Sequence, residues 1–155
     1  MRILPLADLP DAAAVLETWF LAEWEPYYGA HGPGDAAADI AECARHEGLP
    51  LALVAVGDDG RPIGTAALKA DSAGSESGHG PWLAAMVVAP EHRGRGVGTA
   101  LVAAIEDEAR RQGHAALYTS TDTLVGLLQR RGWRAIGSTE TLRGRVAVYR
   151  LELGA

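Results

Sequence analysis

Residues 93–99 read RGRGVGT, three glycines and two arginines in one short stretch. Directly after it, Val97, Leu101, Ile105 and Ala109 recur every four residues, the apolar stripe of an amphipathic helix. Directly before it, WLAAMVV at 82–88 is an apolar run closed by Pro90, which reads as a strand. A glycine-rich passage from strand to helix suits one kind of ligand. The first N–H groups of a helix lack intrahelical partners and carry partial positive charge, so an anion fits there. Glycines let a bulky group approach the backbone. Arg93 and Arg95 add full charges to the same region. The segment therefore reads as a diphosphate cradle, against the plainer alternative of a turn that lets strand and helix pack.

Spacing narrows the choice of diphosphate. A P-loop requires GxxxxGK[ST], and no Gly-Lys pair occurs in the chain. The dinucleotide fingerprint GxGxxG, started at Gly94 and Gly96, demands glycine where Thr99 stands. It would also follow an early strand, whereas these glycines come after residue 90.

The elements that must hold this cradle can be read along the chain. MRILPLA is a strand candidate, and a helix capped by Asp8 or Asp11 runs to about Trp24. PYYGAHGPG is rich in helix breakers. A second helix starts at Asp35 and stops before Gly48. LALVAV and PIGTAALKA are strands joined by a GDDGR hairpin turn, and DSAGSESGHGP has the composition of a flexible loop. After the long helix, which Gly113 can cap, come the strand HAALYTS and a short helix capped at Thr121 or Asp122. Two late strands, WRAIGST and RVAVYRLEL, form a hairpin across LRG. The pattern is an α/β fold in a single domain, 1–155, with about seven strands and about four helices.

Bulk properties exclude several classes. The 155 residues suffice for one core, and no apolar run approaches the ~20 residues of a membrane span. A formal net charge of -6 argues against a nucleic-acid partner and leans toward a cationic one. Cys43 is the only cysteine, and the histidines show no metal spacing, so neither a disulfide nor a metal site is expected. With no targeting segment, a cytoplasmic protein is expected.

Arg93-Gly94-Arg95-Gly96-Val97-Gly98 resembles the R/Q-x-x-G-x-G/A signature of the GNAT superfamily of acyl-CoA-dependent N-acetyltransferases. WLAAMVVAPEHRGRGVGTALVAAIEDEARRQG as a whole looks like that family's central strand, pyrophosphate loop and following helix. PWLAAMVV together with LLQRRGW resembles a bacterial branch in which PWLA and YERLGW segments recur. The resemblance implies a mixed, mostly antiparallel sheet splayed at its central strands. It implies acetyl-CoA as co-substrate, with its pyrophosphate on Arg93, Gly94, Arg95, Gly96, Val97, Gly98 and Thr99. The pantetheine arm would pair with the strand edge at Met86, Val87 and Val88, as amides suit a β edge. Thr121 stands where many relatives have an asparagine that touches this arm.

The implied reaction is direct attack of an amine on the thioester in a ternary complex. It needs a base, and His79 is the histidine nearest the site in sequence, with Glu76 and Asp122 also near. It is commonly assisted by a tyrosine acid, but the YERLGW alignment puts Leu128 at that position. Tyr118 is the substitute candidate if strand alternation turns it toward the site, and restoring tyrosine at Leu128 is expected to raise turnover if an acid is limiting. Trp24, Tyr27 and Tyr28 are expected to wall the acceptor pocket, with Glu23 and Glu25 attracting an ammonium group. The expected acceptor is a small-molecule primary amine, and such proteins often form homodimers. Two alternatives stay open: acetylation of protein N-termini or lysines, and a CoA-binding sensor without catalysis.

Overall fold

The computed structural model describes residues 1–141 and 144–154. Its strands are β1 (Arg2–Pro5), β2 (Leu51–Val56), β3 (Pro62–Lys69), β4 (Trp82–Val88), β5 (Ala116–Thr121), β6 (Arg134–Thr141) and β7 (Gly144–Glu152). Its helices are α1 (Ala12–Glu23), α2 (Glu25–Tyr28), α3 (Ala36–Glu42), α4 (Val97–Arg111) and α5 (Val125–Arg130). The seven strands form one mixed sheet in the order β1-β2-β3-β4-β5-β7-β6, antiparallel except between β4 and β5. The connection from β4 to β5 runs through α4, the crossover that parallel neighbours require.

Alternation along the strands divides the core in two. Leu51, Leu53, Leu68, Leu83 and Leu117 face α4, where they bury its stripe of Val97, Leu101, Ile105 and Ala109. Ala52, Val54, Val56, Ala67 and Val87 face the other way, against Leu16 and Phe20 of α1 and Ile40 of α3. Local signals account for the element ends. Asp35 caps α3, its Oδ1 accepting from Ala38 N at 3.1 Å. In the β2–β3 hairpin, Gly57 N donates to Arg61 O at 2.9 Å. Gly113 takes φ 87° just past α4.

The structure departs from the sequence reading in three places. α2 forms inside the breaker-rich segment, because Pro26 occupies the start of a helix, where its missing N–H costs nothing. α3 stops at Glu42 rather than continuing toward Gly48. The segment between β3 and β4, expected as a flexible loop, contains a short 3-10 turn, Ser75–Ser77, and is tethered within that turn and just after it. Thr139 Oγ1 donates to Glu76 Oε1 at 3.0 Å, and Trp82 Nε1 donates to His79 O at 3.0 Å. Of the LRG turn expected between the last strands, Leu142 and Arg143 lie outside the described residues.

One buried carboxylate ties α4 to the segment between α5 and β6. Glu106, 2% exposed, accepts from Arg131 at 2.9 and 2.8 Å and from Trp133 Nε1 at 3.0 Å. The hydrogen bonds to Glu106 raise the already high pKa of Arg131. Glu106→Ala would leave the Trp133 N–H buried and unpaired, while Arg131, a third exposed, would regain part of its hydration. A loss of about 2–4 kcal/mol is expected in urea denaturation. A loss under about 1 kcal/mol would show that this cluster does not fasten α4.

Candidate functional site

β4 pairs with β3 along its length but with β5 at one register position only, Trp82↔Tyr118. Near that point Tyr118 N donates to Pro81 O at 3.0 Å, and Thr119 Oγ1 reaches Leu83 O at 2.8 Å. Beyond it the two strands diverge. β5 is held to β7 over its whole length, from Ala116↔Glu152 to Thr121↔Ala147. β4 is bent by a bulge: its register with β3 shifts between Thr65↔Val87 and Ala67↔Ala84, and Ala85 sits at φ 52°. Ala89 N donates to Ile63 O at 2.9 Å, so by alternation the N–H and C=O of Val88 point away from β3, into the opening.

That opening is a cleft of about 430 Å³. Met86, Val87 and Val88 form one wall, and the turn into α4 forms another with Arg93, Gly94, Gly96, Val97, Gly98 and Thr99. Thr123, Leu124 and Leu127 come from the start of α5, and Glu23 and His92 complete the rim. Between Arg93 and Ala100 no backbone N–H has a carbonyl partner among the described residues; Ala100 N donates to Gly96 O at 3.0 Å. Gly94 and Gly96 have φ of 76° and 82°, and a Cβ on either would meet nothing within 4 Å. These two glycines thus turn successive N–H groups outward and leave the space before them clear, a concavity suited to phosphate oxygens. Gly98 has a different role. It has an ordinary helical backbone, and a Cβ there would come 3.3 Å from Met86 Cε, so its bare backbone sets the width between α4 and β4.

Arg93, with its side chain 57% exposed, is tethered at the edge of the cleft. Its Nε donates to Val88 O at 3.1 Å, and its guanidinium lies 4.0 Å from the Glu23 carboxylate. Arg95 is exposed and lies outside the cleft lining. Thr121 is turned to a local task, with Oγ1 accepting from Thr123 N at 3.1 Å and Leu124 N at 3.3 Å. It shapes the entry to α5, and Thr123 lines the cleft in its stead.

The two residues singled out for proton transfer meet each other rather than the cleft. His79 stacks on Tyr118 with ring centroids 4.5 Å apart, and Tyr118 is 5% exposed, packed with Trp82 and Val148. The Tyr118 hydroxyl accepts from Arg150 Nη1. Both lie at the Trp82 end of β4, roughly 20 Å by strand rise from Val88. Trp24, Tyr27 and Tyr28 are likewise brought together without lining the cleft. Trp24 and Tyr28 pack on Phe20 at 5.1 and 5.8 Å, and Tyr27 on Tyr28 at 4.7 Å. Tyr28 Oη donates to Asp39 Oδ2 at 2.7 Å, and burial, reinforced by that carboxylate, pushes the phenol well above its ordinary pKa. It serves as a protonated strut between α2 and α3. Glu23, placed by sequence beside this wall, does reach the cleft.

Leu128 also differs from expectation. It is fully buried against the α4 side of the core, while Leu124 and Leu127 face the cleft. A tyrosine at 128 would enter packed core instead of the site. Among the described residues no group of histidine, cysteine or carboxylate side chains could hold a metal, and no helix is long and apolar enough to cross a membrane.

Comparison with known proteins agrees with this geometry. The family model for the acetyltransferase (GNAT) family matches residues 16–133. No curated protein matches the chain in sequence. Among solved structures, an aminoglycoside 6'-N-acetyltransferase complexed with coenzyme A superposes with TM-score 0.79 at 17% identity, covering 100% of this chain and 98% of that one. The aminoglycoside 6'-N-acetyltransferase from Enterococcus faecium gives 0.77 at 18%, covering 100% and 98%. The yncA protein of Salmonella typhimurium, with its cofactor acetyl-CoA, gives 0.71 at 21%, covering 100% and 95%. At these identities the likeness establishes the fold.

Leu128→Tyr is expected to lower stability by about 1–3 kcal/mol through overpacking, read as a lower denaturation midpoint. An unchanged midpoint would mean that the side chain at 128 can turn out toward the cleft. The mostly antiparallel sheet open between β4 and β5, the glycine turn at that opening and the match over 16–133 together place this chain in the acetyltransferase (GNAT) family.

Proposed function

We propose that the chain is one acetyltransferase domain, 1–155, that moves an acetyl group from acetyl-CoA to a primary amine of a small molecule. The observation that carries this reading is the coincidence, in one cleft, of an unpaired β4 edge and an unpartnered run of N–H groups at the start of α4. An amide-bearing arm ending in a diphosphate matches both features at once, and the open space at Gly94 and Gly96 fits the phosphates. The Val88 N–H would face the arm near its thioester, where it can stabilise charge on the carbonyl oxygen.

In the reaction the amine nitrogen bonds to the thioester carbon, the carbon–sulfur bond breaks, and the thiolate departs. The amine's proton passes to a base. Glu23 and His92 are the carboxylate and imidazole of the cleft, closer to β4's open edge than His79. The buried Leu128 offers no proton to the thiolate, so that group leaves unassisted or takes its proton from water. A cationic acceptor agrees with the net charge of -6 and with the aminoglycoside acetyltransferases among the structural neighbours.

Thermal shift with acetyl-CoA, CoA, ATP and NAD tests the ligand class. Stabilisation by acetyl-CoA and CoA alone is expected, whereas stabilisation by ATP or NAD instead would overturn the reading. Gly98→Val is the sharper variant, since its backbone angles suit valine while its methyls fill the gap to Met86. Acetyl-CoA affinity should fall at least about tenfold by isothermal titration, with helix content retained; unchanged affinity would take the ligand out of this cleft.

A further inference from the structure

Arg93 stands in two places that a bound coenzyme would claim. Its Nε takes the carbonyl of Val88, an acceptor on the open edge of β4. Its guanidinium is balanced by Glu23, which comes from the end of α1, across the same cleft. The side chain of Arg93 is 57% exposed, so it can swing without disturbing the core. The N–H groups of 94–99 lie beside Arg93 and are open to a phosphate that would draw the guanidinium toward itself.

We propose that Arg93 is an autoinhibitory latch: without ligand it blocks the Val88 edge and holds Glu23, and a diphosphate pulls it away from both. This rests on the coenzyme reading above and adds a sequence of events to it. An amide N–H of the coenzyme's arm must compete with Arg93 Nε for Val88 O. When the diphosphate settles on the α4 turn, the guanidinium exchanges a neutral carbonyl for an anion, the stronger of the two acceptors. The carbonyl becomes available to an amide N–H of the arm. The Glu23 carboxylate loses its Arg93 contact at the same moment.

The latch makes a prediction of opposite signs. S-acetylpantetheine carries the thioester arm without phosphates, so for this probe Arg93 is only a competitor. Arg93→Met should tighten S-acetylpantetheine about two- to fivefold, in line with one exposed polar contact. The same variant should weaken acetyl-CoA about fivefold or more, since the phosphate loses a charged donor. Glu23→Gln should tighten S-acetylpantetheine in the wild-type background and have no effect on it in the Arg93→Met background. Affinities would be measured by titration on variants with an unchanged denaturation midpoint. If Arg93→Met weakens both probes, or leaves S-acetylpantetheine no better bound, Arg93 is a strut or a plain phosphate ligand and the latch is wrong. If the wild-type protein binds acetyl-CoA and the Glu23→Gln effect is equal in both backgrounds, the Glu23 half is wrong. Failure of wild-type protein to bind acetyl-CoA at all would instead remove the coenzyme reading on which the latch rests.

Discussion

Everything at the site depends on β4 sharing one register position with β5. A strand inside a sheet normally satisfies its N–H and C=O groups on both sides, and leaving half of them open invites another chain or a ligand. The fold secures this openness from both flanks. β5 is committed to β7 along its whole length, and the bulge at Ala85 turns β4 away from β5's line. Thr119 and Tyr118 close the junction at its Trp82 end, so that the divergence starts at a fixed point. The cleft is therefore a consequence of pairing geometry, and side chains decorate it rather than create it.

α4 supplies the second half. Its stripe of Val97, Leu101, Ile105 and Ala109 presses it onto the sheet, and Glu106 fastens its outer part to Arg131 and Trp133. With the helix axis fixed, its first N–H groups are aimed at the gap beside β4. Gly94 and Gly96 provide left-handed backbone angles, and Gly98 provides closeness. Three glycines in one motif answer two separate physical needs.

Much of this was legible in the sequence because it was written in backbone chemistry. Glycine spacing, helix periodicity and the run WLAAMVV identify the glycine turn, its helix and its strand with no knowledge of distant contacts. What escaped was decided by tertiary direction. His79 and Tyr118 are the right residue types, yet alternation along β5 and the anchored loop before β4 place them against each other. Thr121 spends its hydroxyl on the backbone two and three residues ahead, as threonines before a helix often do. Leu128 and Leu127 are adjacent and alike in sequence, but one fills the core and the other faces the cleft. α2 was hidden by residues that break helices in general but permit one short turn after proline.

The most direct test of a coenzyme held by backbone groups is an amide-resolved NMR titration with acetyl-CoA. The N–H signals of Val88 and of residues 94–99 should shift first and furthest, and those amides should gain protection from hydrogen exchange. Shifts centred on His79 and Tyr118, or none at the start of α4, would contradict a site built on the open edge of β4.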